Sequence, residues 1–278
     1  MNVPTTGTVA AVNPQHPSDT EAVPVDGFAV DPTALDRSIR FDLVFNVRDL
    51  GGLPTEDGRQ VRRGHLYRAD GVQRLAGDDL ERARRLGLRT VIDLRTDGEI
   101  ERGGRFPVEA HPVDWHHLPV LQRMWSDDDL VATTGAADFL RDRYVDMLTE
   151  GGRSIARSVE VVAEGAPALV HCAAGKDRTG VVAAVLLGLL GVPDDEIAAD
   201  YHATAGAMAA FVDWLTLEFP EAVDSMTSQP PEYLEAPMEA MTGFLAVVAD
   251  RHGSMEGLAA HLGVADATVE RLRTNLLG

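Results

Sequence analysis

Cys172 and Arg178 stand with five residues between them in the run HCAAGKDRTG. On one short bend, a sulfur and a guanidinium at that spacing can share a bound oxyanion. The flanking pattern supplies the bend. Residues 167–172 (PALVHC) form an apolar, β-branched run with the length of a buried strand. Residues 173–178 are a small-residue turn containing glycine, and 179–190 read as a helix, apolar on nearly every side and closed by Gly191 and Pro193. Strand, tight loop and helix N-terminus gather unpaired amides at one point, where the helix dipole favours negative charge. The amides of Ala173, Ala174 and Gly175 would cup a tetrahedral dianion, with Arg178 forked onto two of its oxygens and the sulfur beneath its centre. Those donors also favour thiolate over thiol at Cys172. The chemistry expected is nucleophilic phosphoryl transfer with neither metal nor cofactor.

The rest of the loop fits that reading. Asp177 lies inside it, so its carboxyl is within reach of a leaving oxygen and is the leading general acid. Thr179 can hydrogen-bond the departing thiolate. Lys176 is either a solvated lysine or a point charge added beside the guanidinium. His171 is expected to fix the backbone around the cysteine rather than to act as a base.

HCAAGKDRTG resembles the H-C-x5-R signature loop of the cysteine-dependent protein tyrosine phosphatases. More narrowly, GKDRTG is similar to the bacterial atypical branch, whose members act on phosphotyrosine, phosphoserine/threonine and often phosphoinositides. Three further runs match in order: FNVRDLGG (45–52), LYRADGVQRL (66–75) and VIDLRTDGEIE (91–101), so the resemblance spans about 41–204. It implies the Asp177 assignment, a supporting role for Asn46, Arg48 and Asp49 on the floor of the site, and an acidic position at Asp93. It links Lys176 to substrates with more than one phosphate, and residues 201–251 to a helical lid. An ordinary packed hairpin explains that last segment equally well. In many relatives the acid lies on a loop upstream of the cysteine, where Asp127, Asp128, Asp129 and Asp138 fall. Asp138, Asp142 and Asp146, interleaved with Arg141 and Arg143, read better as a solvated, salt-bridged face. The 127–129 run reads as a cap or loop.

The elements that must position these groups alternate as strands and helices. Residues 60–68, 88–94 and 115–120 read as strands; 78–86, 152–164 and 194–201 read as helices. The order predicts an α/β fold of protein-tyrosine-phosphatase type: a mostly parallel sheet with helices on both faces and a C-terminal helical lid. Acids at the carboxyl ends of such strands face the ligand crevice, which makes Asp93 a site candidate or else a strand-end cap. Arg68 is a surface cation or a supporting residue. Residues 1–35 read as a mobile tail and 36–278 as the phosphatase domain. Near the C-terminus, GLAAHLGVADATVERLRTNLL mimics a helix-turn-helix with Gly263 at its turn.

Charge decides against that mimicry. The chain has 278 residues, 44 Asp and Glu against 25 Lys and Arg, and a formal net charge of −19. Such a chain is repelled by nucleic acid and by anionic membrane. Its single cysteine excludes an internal disulfide and agrees with a reducing cytoplasm. No cationic start followed by an apolar stretch suggests a secretory signal. The substrate expected is a phosphorylated protein, with phosphotyrosine first. The alternative is a small soluble phosphoester such as a nucleotide, sugar or inositol phosphate, and a phosphate-binding regulator comes last. Oligomeric state is not legible.

Overall fold

The computed structural model describes residues 37–123, 135–218 and 235–278. The tail read over 1–35, the Asp127–Asp129 run and the break at 223–231 lie outside these residues. Among the described residues, five strands make one sheet in the order β1-β2-β5-β3-β4. Its centre is β5 (Ala168–His171), flanked in parallel by β2 (Leu66–Ala69) and β3 (Thr90–Asp93). β4 (Asp114–His117) continues the parallel set beyond β3, and the two-residue β1 (Arg48–Asp49) closes the other edge antiparallel to β2.

The three central strands are buried at every residue, because helices cover both faces, and their sequences are mostly apolar, with Arg68, Thr90, Asp93 and His171 as buried polar exceptions. Side chains still alternate between faces. Leu66, Ile92 and Val170 enter one core, while Tyr67, Val91 and Leu169 enter the other. The second core is completed by Ala83 of α1 (Gly77–Arg85) and by Phe106. The first is larger and takes in α3 (Ala136–Glu150), α4 (Gly152–Gly165) and α5 (Asp177–Leu189). Between the cores' strands, α2 (Asp97–Gly103) follows β3 directly and starts on a capping box in which Thr96 and Glu99 bond reciprocally.

The register sets Ala69, Asp93 and His171 in one row across the sheet. The chain leaves all three strands at that end, so the carboxyl ends of β2, β5 and β3 form one crevice. α5 starts two residues earlier than its sequence suggests. Its N-cap is Lys176, which makes no side-chain cap, so no Ser, Thr or Asp marks the start.

Downstream come α6 (Asp194–His202), α7 (Thr204–Glu218), α8 (Met238–His252), α9 (Met255–His261) and α10 (Asp266–Leu276). α8 packs on α3 and α6 and buries Met241, Phe244, Leu245 and Val248. Each such side chain contributes about 1.5–3 kcal/mol, so this helix is core. α7 is held differently, through Met208 and an aromatic group in which Phe211 and Trp214 stack on each other, tilt against Phe45 and lie under the guanidinium of Arg74. The helix-turn-helix look-alike is structural. α10 lies on α4, and its two arginines are engaged within the fold, Arg271 with Glu164 at 3.1 Å and Arg273 donating to the Leu189 carbonyl at 2.8 Å.

Candidate active site

The loop from Cys172 to Arg178 crosses the crevice between β5 and α5. Every carbonyl from Ala173 to Lys176 accepts a hydrogen bond from the surrounding fold. Gly71 N–H donates to Ala173 at 3.0 Å, and Asn46 Nδ2 to Ala174 and Gly175 at 3.1 and 3.0 Å. Arg68 donates to the Gly175 carbonyl at 2.7 Å, and Gly180 N–H to that of Lys176 at 2.7 Å. With the carbonyls turned outward, the amides of Ala173, Ala174, Gly175, Arg178 and Thr179 find no acceptor among the described residues. Amides left without an acceptor are the donors that a nest would offer to an anion.

Gly175 is what lets the loop lie so close. Its φ is +67°, and a Cβ there would fall 2.5 Å from the Ala69 carbonyl oxygen. Cys172, 2% exposed, sits at the bottom.

Arg178 is buried, and both ends of its guanidinium are held by Glu99, at 2.6 Å to Oε2 and 2.9 Å to Oε1. Burial alone would lower its pKa, but the charges of Cys172 and Glu99 outweigh burial and raise it. Glu99 responds in the opposite sense. Burial would raise its pKa, while Arg178 and the Thr96 amide bring it down to about 2. Two of the five guanidinium donors are thereby spent and three remain.

Behind the loop lies a charge cluster built on Asp200 of α6. Its carboxylate accepts from Arg37 at 2.9 Å, Arg48 at 3.0 Å and Arg68 at 2.7 Å, all essentially without solvent. Burial opposes its ionisation, but the three guanidinium groups hold its pKa well below the usual carboxylate range. Arg48 also donates to Asn46 Oδ1, which orients the Asn46 amide toward the loop. Asn46, Arg48 and Arg68 thus form one chain from Asp200 to the loop carbonyls.

Other expected residues stand elsewhere. Asp49 accepts from the amides of Gly51 and Gly64, both at 2.7 Å, and so ties a turn at the sheet edge rather than the floor of the site. Asp93 is gripped by Arg95 at 2.9 and 2.6 Å and lies 3.4 Å from His171 Nε2. It faces the histidine, not the loop opening. His171 Nδ1 is 3.2 Å from the Cys172 carbonyl, and burial lowers the ring's pKa toward the neutral form. The Thr179 hydroxyl is buried and makes no hydrogen bond, the sulfur included. Lys176 is buried rather than solvated, its ammonium 3.6 Å from Asp177 Oδ1. Asp138 pairs with Arg141 at 2.6 Å on an exposed face of α3.

Asp177 is a quarter exposed, and its Oδ1 accepts from the buried Tyr144 hydroxyl at 2.6 Å. Tyr201 in turn reaches Tyr144 at 2.6 Å. Burial first, then the charge of Asp177, raises the pKa of both phenols, which keeps them protonated as donors. Glu99, Asp200, Tyr144 and Tyr201 were not singled out from sequence. For Glu99 the signal was present, since T-x-x-E before a helix is a capping box.

A buried thiol, a guanidinium and amides without acceptors lie together on this loop, and the chain is similar to known phosphatases. A protein assigned as a tyrosine-protein phosphatase in Cupriavidus necator is 37% identical over 59% of this chain and 61% of its own length. The chain therefore spans about three fifths of that relative. The triple specificity protein phosphatase PtpB of Mycobacterium tuberculosis is 30% identical over 84% of this chain and 97% of that protein. Among solved structures, P. aeruginosa TpbA has a TM-score of 0.25 and 18% identity over 78% of this chain and 88% of that one. A family model described as Tyrosine phosphatase family matches residues 39–278. The chain belongs to the tyrosine phosphatase family.

Proposed function

We propose that the chain is a protein-tyrosine phosphatase working through a cysteinyl-phosphate, with Cys172 as nucleophile, Arg178 and the loop amides as oxyanion donors, and Asp177 as general acid. The observation that carries this reading is the outward pinning of every loop carbonyl from Ala173 to Lys176. Amides fixed in that way meet the charge that develops on the equatorial oxygens without reorganising, which is the dominant kind of catalytic effect.

The thiolate attacks phosphorus in line, forming the S–P bond as the P–O bond to the leaving group breaks. Asp177 gives its proton to that oxygen. The Tyr144 and Lys176 contacts both fall on Oδ1, and Oδ2 makes no hydrogen bond among the described residues, so Oδ2 is the oxygen that faces substrate. Water then attacks the phosphocysteine, its proton passing back to Asp177, and releases inorganic phosphate and the thiolate. The Thr179 hydroxyl, buried and without a partner among the described residues, would be the donor to that thiolate.

The burial of Cys172 favours phosphotyrosine, because a phenyl ring reaches a buried sulfur that a serine side chain does not. PtpB of M. tuberculosis is named for triple specificity, and the buried Lys176 beside the loop fits a similar tolerance. Among the described residues no helix is long and apolar enough to cross a membrane. Within 201–251, α7 with its exposed Leu217 is the element able to move over the site, whereas α8 is fixed in the core.

The test is a panel of phosphotyrosine peptides, phosphoserine peptides, phosphoinositides and soluble phosphoesters, run on wild type and Cys172→Ser. The proposal expects the highest kcat/KM for phosphotyrosine peptides, insensitivity to chelators, inhibition by vanadate, and no turnover in C172S. Residual turnover in C172S, or a preference for a small metabolite, would overturn it.

A further inference from the structure

A cleft of about 620 Å³ opens where α4 starts and α8 ends, away from the signature loop. Its floor is apolar, with Val145 and Leu148 from α3 and Leu262 after α9. Its rim carries three arginines, Arg153 and Arg157 from α4 and Arg251 from α8, with His252 of α8 and His261 of α9 beside them. Glu160 is the one acid in the lining, and Arg157 already bonds it at 2.7 Å. In a chain where acids outnumber Lys and Arg 44 to 25, this is a local reversal of sign.

Helix stability accounts for only part of it. Arg251 and His252 close α8 and His261 closes α9, positions where cations complement the dipole. Arg153 occupies the first turn of α4, the positive end, in a turn without acidic residues and with Gly151 as its N-cap. A guanidinium there works against its own helix. Neither Arg153 nor Arg251 has a hydrogen bond or ion pair with any described residue. The His252 and His261 rings lie 4.9 Å apart, and burial, His261 and Arg251 together push the His252 pKa down. Two guanidinium groups with no counter-charge among the described residues, above an apolar floor, are complementary to one class of ligand.

We propose that this cleft is a second binding site, for a small soluble organic anion with an apolar ring or chain and at least two negative charges, held by Arg153 and Arg251 over Val145 and Leu148. The ligand would rest on α3, the helix whose Tyr144 holds Asp177, but its binding requires no catalysis.

The probe is naphthalene disulfonate, which a phosphatase cannot hydrolyse, titrated calorimetrically into the full chain with vanadate saturating the signature loop. Saturable binding is expected, weakened about tenfold or more in R153E/R251E because two charge-assisted contacts are reversed. Inorganic sulfate, which lacks the ring, and naphthol, which lacks the charge, should each bind at least about tenfold more weakly. Turnover of para-nitrophenyl phosphate by R153E/R251E should stay at the wild-type level; if that variant does not fold, R153Q/R251Q replaces it. Absent binding, equal binding by the double variant, or equal binding of sulfate would overturn the proposal.

Discussion

Glu99 holds Arg178 from behind, with both carboxylate oxygens on the terminal nitrogens of the guanidinium at 2.6 and 2.9 Å. Glu99 is itself fixed by the Thr96 amide at 2.8 Å and hydroxyl at 2.9 Å, so the orientation of Arg178 is set by the first turn of α2. Glu99→Gln keeps the shape but loses the charge and one acceptor. It should cost about 10²-fold in kcat/KM, the usual penalty for misplacing a catalytic group by an ångström, with an unchanged circular dichroism spectrum. Wild-type kinetics in E99Q would show that Arg178 is positioned by something else.

The same pair predicts the shape of acid unfolding. The folded pKa of Glu99 is about 2, below its ordinary 4.5. A depressed carboxylate stabilises fully above its unfolded pKa and loses that contribution as pH falls through the folded value. Stability monitored by ellipticity should therefore fall between about pH 4.5 and 2, and E99Q should flatten that limb while being less stable at neutral pH. A limb of equal steepness in E99Q would assign the acid sensitivity elsewhere, Asp200 first.

Among the described residues, Asp200 is the one carboxylate facing Arg37, Arg48 and Arg68. Breaking a buried pair leaves uncompensated charge and costs about 3–5 kcal/mol. Asp200→Asn should lower the melting temperature sharply, and activity with it, because Arg68 and Asn46 would no longer pin the loop carbonyls. A melting curve matching wild type would mean that the three arginines find other anions.

These residues divide by how far apart in the chain their partners lie. Cys172, Arg178 and Asp177 could be read directly because loop, nucleophile and cation are consecutive, and a buried parallel strand announces itself as an apolar run. Asn46 and Arg48 came through motif resemblance, but Asp49, in the same motif, turned toward Gly51 and Gly64 instead. Nothing local separates those two outcomes. Glu99 was visible as a helix cap, yet its bond to Arg178 crosses 79 positions. Asp200 follows three acids that begin α6, and only packing reveals that it alone points into a cage of arginines. The start of α5 was misjudged because Lys176, with no side-chain cap, begins it.

Gly175→Ala tests the geometry of the nest without touching a charge. Its Cβ would meet the Ala69 carbonyl at 2.5 Å in a left-handed backbone. The substitution should destabilise by about 1 kcal/mol or more, and catalysis should fall much further, since the Gly175 carbonyl is the point where Asn46 and Arg68 both hold the loop. Vanadate affinity should drop in parallel with turnover. Retained vanadate binding with lost turnover would show that the amides stay in place and that only the nucleophile has moved.

Tyr144 distinguishes Asp177 from Asp93 and Asp138, the other described candidate acids. Its hydroxyl is fully buried, donates to Asp177 Oδ1 at 2.6 Å and is itself backed by Tyr201. Removing it should free the carboxyl to rotate, so that Oδ2 no longer faces the leaving oxygen. Tyr144→Phe should then slow phenyl phosphate, a poor leaving group, more than para-nitrophenyl phosphate, a good one, because only the former needs a proton in the transition state. Asp177→Asn should show the same selectivity with larger amplitude, and Y144F should add little to D177N in the double variant, as for residues acting as one unit. Equal slowing of both substrates in D177N would transfer the acid role away from Asp177. Additive losses in the double variant would instead make Tyr144 a packing residue whose hydroxyl is incidental to proton transfer.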